Sequence, residues 1–357
     1  MTADLVLVGF GNVGRRFVRL LDERRAELRD RHSLEWRVVG ICTRRHGRAR
    51  NPAGLDALAA AAAVERGESL GEGPGGDANG DGAAFIRSAA GDWRRSGSAN
   101  PLVVVETTVL DVRSGRPAID HVRAALEAGA HVVTANKGPV AFAYDELKEL
   151  AASAGRLFLF EGAVMDGIPV FNLAARTLPA VRVSGFRGVV NSTTNYIISA
   201  MEDGREFGDA LAEMQAAGIA EADASLDVDG WDAAAKAAAL ANVLLGARTS
   251  PLEVERTGIA ALEGPAVRDV VARGMRLKLV ARGRRHATGG LRVSVAPEEL
   301  PAGDLLAGLK GQQNAIVLET DLLEDVAIVQ LGGGLTQTAY ALVSDLVALR
   351  NALPALP

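Results

Sequence analysis

The chain is short of several things, and each shortage narrows what it can do. It carries one cysteine, Cys42, in 357 residues, so no disulfide can form within it, and a lone thiol suits a reducing compartment. Histidine is scarce too. The five, at positions 32, 46, 121, 131 and 286, show no metal-ligand spacing, which argues against a zinc enzyme. No apolar run approaches the roughly 20 residues that a membrane-spanning helix needs. No block of like charge dominates, and a formal net charge of -5 speaks against non-specific binding to nucleic acid. The first residues run straight into an apolar stretch with no basic region or cleavage site, so no signal peptide is expected and the expected location is the cytoplasm.

What remains is a well-packed globular protein of two domains. Hydrophobic residues make up 48% of the chain, too many for a disordered chain, and the length is large for a single core.

The N-terminal half reads as a nucleotide site. An apolar strand at 5–8 leads into Gly9-x-Gly11-x-x-Gly14, followed by apolar residues at helical spacing. Gly9 permits a tight turn, Gly11 lets a pyrophosphate approach the backbone, and Gly14 lets the helix pack on the strand. The phosphates would sit at the helix N-terminus, where Asn12 and Val13 begin the first turn. The alternative is a purely structural glycine turn. A second strand, about 36–41, ends in Cys42-Thr43-Arg44-Arg45, where an NAD-preferring enzyme would carry an acid. Arg44 and Arg45 could grip a 2'-phosphate instead, so NADP is expected, with NAD as the alternative. A helical segment at 55–64 leads into a glycine-rich acidic stretch, 67–82, read as a mobile surface loop without the ordered repeat of a calcium loop. The apolar run 101–105 ends in Glu106-Thr107-Thr108, and after a helix at 118–128 the next strand ends in Thr134-Ala-Asn136-Lys137. Ligands bind beyond the carboxyl ends of such strands.

The most informative feature lies further on. Lys236 sits in an alanine-rich helical run, with Asp232 one turn before it and Glu221 at the head of an acidic stretch containing Asp227. Burying an ammonium is costly, and a residue four positions away shares its helix face, so Asp232 is its natural partner. Desolvation lowers a lysine pKa towards working pH, which suits a proton donor to a carbonyl. The bland alternative is a solvated i,i+4 surface pair. Upstream, 156–169 reads as a buried strand breaking into an irregular loop. The run 182–190 reads as a strand ending in Asn191-Ser192-Thr193-Thr194, polar groups that can cap a helix and hold an amino acid. The fold class is therefore α/β: a Rossmann-type, doubly wound nucleotide-binding domain with a second, α+β domain for substrate binding and oligomerisation.

Taken in order, the segments 9–14, 134–137, 161–169, 191–196 and 221–236, with the tail Gly332-Gly-Gly334-Leu-Thr336-Gln-Thr338, resemble the homoserine dehydrogenases across almost the whole chain. The block ending in Asp232-x-x-x-Lys236 is the most specific of them. The chain ends soon after the tail motif, so it resembles the short form without a regulatory ACT domain. The resemblance implies NAD(P)-dependent interconversion of L-aspartate 4-semialdehyde and L-homoserine, in threonine and methionine biosynthesis, by a homodimer or dimer of dimers. By position, Lys236 and Lys137 become the catalytic lysines and Asp232 supports Lys236. Glu221 and Thr193, with Asp227, receive the substrate's amino end. Thr107, Thr108 and Lys137, at the carboxyl ends of their strands, lie near the cofactor, and so do Gly334 and Thr338, because the tail returns to the nucleotide domain. It further implies a monovalent cation, often sodium, on backbone oxygens of Glu161, Val164, Asp166 and Ile168. The implied domains are 1–140 with 331–357, and 141–330.

Four departures from the family pattern stand out: Asp166 where a small residue is usual, Ser192 where glycine is commoner, no proline at 223–227, and Gly-Gly-Gly-Leu in the tail. None removes a catalytic group. They leave room for a shifted substrate, such as a related amino-acid semialdehyde, or for weak activity; the rival readings are an oxidoreductase acting on a related amino-acid semialdehyde or oxo acid, and a cofactor-binding sensor without catalysis. A sensor would need none of Lys137, Glu221, Asp232 and Lys236.

Overall fold

A computed structural model describes residues 1–71, 81–216, 223–285 and 290–353. Glu221, His286 and most of the glycine-rich stretch lie outside the described residues. The chain forms two compact units: 1–169 with 334–357, and 170–333.

The first unit is a six-stranded sheet in the order β3-β2-β1-β4-β5-β6. Its strands are β1 (Thr2–Val8), β2 (Glu35–Cys42), β3 (Arg48–Arg50), β4 (Leu102–Glu106), β5 (His131–Thr134) and β6 (Phe158–Leu159). All pairings are parallel except that of β2 with β3. The strands alternate between two cores. Leu5, Leu7, Val103 and Val105 face one, while Val6, Val8, Leu102 and Val104 face the other, so both faces of the sheet are covered, as a doubly wound fold requires. The strand order reverses between β1 and β4, which puts the switch point at the glycine motif.

The unit reaches past residue 140, because the helix Lys137–Ser153 and β6, which pairs with β5, belong to this sheet. β6 is shorter than the 156–160 run suggests, two half-buried residues. The chain returns at 334 as the helix Leu335–Ala352, whose Ala339, Leu342, Leu346 and Leu349 complete the core of Leu5, Phe17 and Leu21.

The second unit is a mixed sheet in the order β12-β11-β7-β9-β10-β8. Its strands are β7 (Val183–Val189), β8 (Glu255–Arg256), β9 (Met275–Arg285), β10 (Leu291–Pro301), β11 (Asn314–Thr320) and β12 (Asp325–Gln330). Only the short β8 pairs in parallel, with β10. The helix Trp231–Leu245 packs on β9 and β10. Its buried face is almost all alanine, and small side chains let a helix lie close to a sheet.

Among the described residues, no helix is long and apolar enough to cross a membrane.

Candidate active site

In the first unit, the chain turns at Gly9 with φ +87°. A Cβ there would lie 2.6 Å from the backbone carbon of Thr107, so only glycine lets the loop after β1 cross the loop after β4. Thr107 fastens the crossing: its N–H donates to Val8 O at 2.8 Å and its hydroxyl to Gly9 O at 2.7 Å. At Gly14 a Cβ would stand 2.8 Å from Gly9 O, which is the close helix–strand approach expected of it.

Gly11 is different. Nothing lies within 4 Å of where its Cβ would be, and it caps the helix Asn12–Glu23 without any side-chain bond. The first-turn N–H groups of Asn12 and Val13 thus begin a helix beside open space, with no side chain competing for them. That arrangement fits a pyrophosphate. Arg44 and Arg45 are exposed in the turn between β2 and β3, which Thr43 braces by donating to Gly47 O and accepting from His46 N. That turn contains no acid.

At the carboxyl ends of β4 and β5, Glu106 organises the polar groups. It is fully buried. One oxygen accepts from Thr108 N at 3.0 Å and from the Thr108 hydroxyl; the other accepts from the Thr134 hydroxyl at 2.9 Å. Lys137 follows directly, half-buried at the first position of the helix Lys137–Ser153, whose cap is Asn136. Sequence reasoning passed over Glu106; the available signal was a charged residue closing an otherwise apolar strand.

Glu161, Val164, Asp166 and Ile168 fall in irregular backbone: a 3-10 turn at Glu161–Ala163, then a loop in which Asp166 adopts φ +49°. Glu161 N is held by the buried carboxylate of Asp345 at 2.9 Å. Asp166 accepts from the Thr338 hydroxyl at 2.8 Å, and Thr336 accepts from Arg16 Nε at 3.0 Å, so the tail helix is tied both to this loop and to the helix that opens at Asn12. Gly334 precedes that tail helix.

The second unit gathers the acidic residues around one lysine. Lys236 Nζ lies 3.0 Å from Asp232 Oδ2 and donates to Val190 O at 2.6 Å. Both side chains of the pair are largely buried, 15% and 18% exposed. Asp232 also stands in the first turn of its helix, where the helix dipole favours a negative charge. Asn191 Nδ2 bridges two carboxylates, donating to Asp232 Oδ2 at 2.9 Å and to Asp227 Oδ1 at 2.7 Å, while its Oδ1 caps the helix Ser192–Glu202 at Thr194 N. Burial, and then the neighbouring Asp232, hold the Asp227 carboxyl above the usual carboxylate range, opposed by bonds from Asn191 and from the buried Thr193 hydroxyl. Ser192 has its own partner, accepting from Asn314 Nδ2 at 2.8 Å.

A nucleotide-type switch point in one unit and a lysine–carboxylate cluster in the other suit a dehydrogenase, and comparison with known proteins decides which. The homoserine dehydrogenase family model matches residues 169–347, and the model for the NAD-binding domain of homoserine dehydrogenase matches residues 9–161. The chain belongs to the homoserine dehydrogenase family. It is accordingly an NAD(P)-dependent oxidoreductase. It is 35% identical to the NAD(+)-dependent homoserine dehydrogenase of Pseudomonas canavaninivorans, over 97% of this chain and 96% of that one. It is 34% identical to the homoserine dehydrogenase of Methanocaldococcus jannaschii, over 98% of each. Among solved structures it resembles the putative homoserine dehydrogenase of Archaeoglobus fulgidus, with a TM-score of 0.83, 30% identity, and coverage of 98% and 99% of the two chains. Within the family, two departures now have a physical setting. Asp166 occupies a left-handed conformation that a residue without a Cβ enters freely, and its carboxylate is tied to Thr338. Ser192 supplies a hydroxyl to Asn314.

Proposed function

We propose that the chain interconverts L-homoserine and L-aspartate 4-semialdehyde, with Lys236 and Lys137 as its catalytic lysines. Lys236 carries the reading. It is held by Asp232 at 3.0 Å and by Val190 O at 2.6 Å in a largely buried position, beside carboxylates suited to an amino acid's ammonium.

When bound, the nicotinamide supplies or takes the hydride. In the reducing direction the aldehyde oxygen gains negative charge and then a proton, and the ammonium groups of Lys236 and Lys137 are the groups that stabilise the charge and donate. In the oxidising direction the hydroxyl proton passes back to a lysine as the carbon-bound hydrogen leaves with its electron pair. Asp232 orients Lys236. Asp227, Thr193 and Glu221 bind the substrate's amino end. The backbone at Gly9, Gly11, Asn12, Val13 and Gly14 holds the pyrophosphate, with Thr107, Thr108, Gly334 and Thr338 along the rest of the cofactor.

Two exposed arginines and no acid after β2 support NADP, with Arg44 and Arg45 on the 2'-phosphate. The NAD(+)-dependent name of the Pseudomonas canavaninivorans relative favours NAD as the second reading. Comparing kcat/KM for the two cofactors in the wild type and in Arg44→Ala/Arg45→Ala distinguishes them: a loss confined to NADP supports the first, and a wild-type preference for NAD supports the second. The irregular backbone at Glu161, Val164, Asp166 and Ile168 supports a monovalent-cation site, and activity that rises with sodium in a sodium-free buffer is the test. Among the described residues β12 is an edge strand, and Val329 in it and Leu331 just after it are exposed, which supports assembly into a homodimer or dimer of dimers. Light scattering reads that directly.

The deciding assay follows nicotinamide absorbance with each substrate and each cofactor, in the wild type and in Lys236→Ala. Turnover of homoserine that collapses in the variant upholds the assignment. Turnover only with another amino-acid semialdehyde or oxo acid shifts the substrate, and no change in Lys236→Ala removes that lysine from the chemistry.

A further inference from the structure

The buried carboxylate of Glu106 spends its two oxygens on two different segments, and both segments are bonded to the same residue, Asn136. Oε1 holds the loop after β4 through the N–H and hydroxyl of Thr108. Oε2 holds the end of β5 through the Thr134 hydroxyl at 2.9 Å. Asn136 is then fixed from both sides: its N–H donates to Thr134 Oγ1 at 3.0 Å and its Nδ2 donates to Thr108 O at 3.0 Å. Its remaining side-chain polar atom, Oδ1, accepts from Gly138 N at 2.8 Å and so caps the helix that begins at Lys137.

The links through Thr134 and the Asn136 cap are buried and those through Thr108 part-buried, and the last one is adjacent in sequence to a lysine. Replacing a carboxylate oxygen by a group that cannot accept would free one of the two loops and let the helix start drift. Chemistry that depends on an ammonium placed to a fraction of an ångström loses far more from such drift than folding does. The other face of Glu106 is closed by His121, 4% exposed, with Nδ1 3.5 Å from Oε1. The ring is wedged against Gly82, where a Cβ would come within 2.3 Å of Nε2.

We infer that Glu106 is a positioning residue for the dehydrogenase reaction, acting through Thr134 and Asn136 to set the placement of Lys137. The inference rests on the catalytic reading of Lys137 given above.

The test uses the full-length enzyme and two sets of variants. Thr134→Val keeps the volume of the side chain and removes the hydroxyl that joins Glu106 to Asn136; Thr134→Ser restores it. Glu106→Gln leaves one acceptor and turns the other into a donor. The expected result is a fall in kcat of about tenfold to a hundredfold in Thr134→Val and Glu106→Gln. KM for homoserine should stay near wild type in both; the dissociation constant of the cofactor should stay near wild type in Thr134→Val, which leaves the Glu106–Thr108 bonds in place, and kcat should recover in Thr134→Ser. A merely structural role would lower the folded fraction and leave kcat per folded molecule unchanged, and that outcome overturns the inference. The decisive readout is a double-mutant cycle. If Glu106 and Thr134 work through Lys137, Thr134→Val should cost nothing further in a Lys137→Ala background. Full additivity would mean that they act elsewhere. Loss of activity in Lys137→Ala with none in Thr134→Val sinks the positioning inference alone. Full activity in Lys137→Ala sinks the catalytic reading on which it rests.

Discussion

Asp227 and Asp232 share one donor, the Nδ2 of Asn191, at 2.7 and 2.9 Å. Burial, and then the repulsion of Asp232, push the Asp227 carboxyl above the ordinary carboxylate range, while Asp232 has the ammonium of Lys236 3.0 Å away. The cluster is therefore built with a carboxylate in reserve, suited to a cation that arrives with the substrate.

Asn191→Ala removes the shared donor and the cap of the helix Ser192–Glu202 together. The lost cap costs about 1 kcal/mol of stability, and turnover should fall by about tenfold or more as Asp232 loses its second anchor. A thermal melt and a kcat measurement read the two effects separately. Turnover at the wild-type level would show that Asp232 does not need Asn191 to stay in place.

Lys236→Ala leaves Asp232 and Asp227 without their cation. We expect kcat to drop by about 10²–10⁴, the usual worth of a positioned proton donor, with the cofactor's dissociation constant unchanged. Lys236→Arg should recover little, because a guanidinium does not give up its proton at working pH.

Asp227 bears on pH in a direction that can be worked out. Its folded pKa is raised, so its contribution to stability is fully present below the unfolded carboxylate value near 3.8 and is lost as pH rises through the folded value. Asp227→Asn has no charge to bury. The variant should melt higher than the wild type at pH 7, lose that advantage at acid pH, and bind homoserine more weakly. An equal or lower melting temperature at neutral pH would contradict the burial argument.

His131 works in the opposite direction. Its Nδ1 accepts from Leu157 N at 3.1 Å, so the folded protein holds it neutral, and burial followed by the charge of Arg156 lowers its pKa to about 4. The unfolded chain takes up the proton near 6.5 and the folded one does not, so stability falls as pH drops from about 6.5 to about 4, by up to about 1.4 kcal/mol per unit. His131→Asn keeps an acceptor without the titration. Urea unfolding at pH 7 and pH 5 should show a smaller loss for the variant.

Lys278 and Glu202 form a buried pair, 1% and 10% exposed, at 3.6 Å, in which burial holds the lysine pKa below its ordinary value. Glu202→Ala strands the ammonium and also frees Leu277 N, which bonds to Glu202 Oε1. It should cost about 3–5 kcal/mol, whereas replacing the pair as a whole, Glu202→Leu with Lys278→Met, should cost much less. Equal losses in the two variants would mean that the pair contributes net attraction.

The sequence by itself determined the glycine motif, its strand and helix, and the i,i+4 relation of Asp232 and Lys236, because each is a local pattern whose geometry follows from backbone periodicity. It also carried the family, through short motifs in a set order. What it could not carry were relations made by non-local packing. The first unit runs to 169 and not to 140 because β6 adds to the edge of a sheet, and strand pairing leaves no mark at the residue where a domain ends. Asn191 reads locally as a helix cap, and only the fold brings Asp227 and Asp232, 36 and 41 positions away, to its other end. Glu106 closes an apolar strand with no local partner but Thr108. Its hold on Thr134, 28 positions on, exists only because parallel strands lie side by side, and that is a decision of the tertiary structure alone.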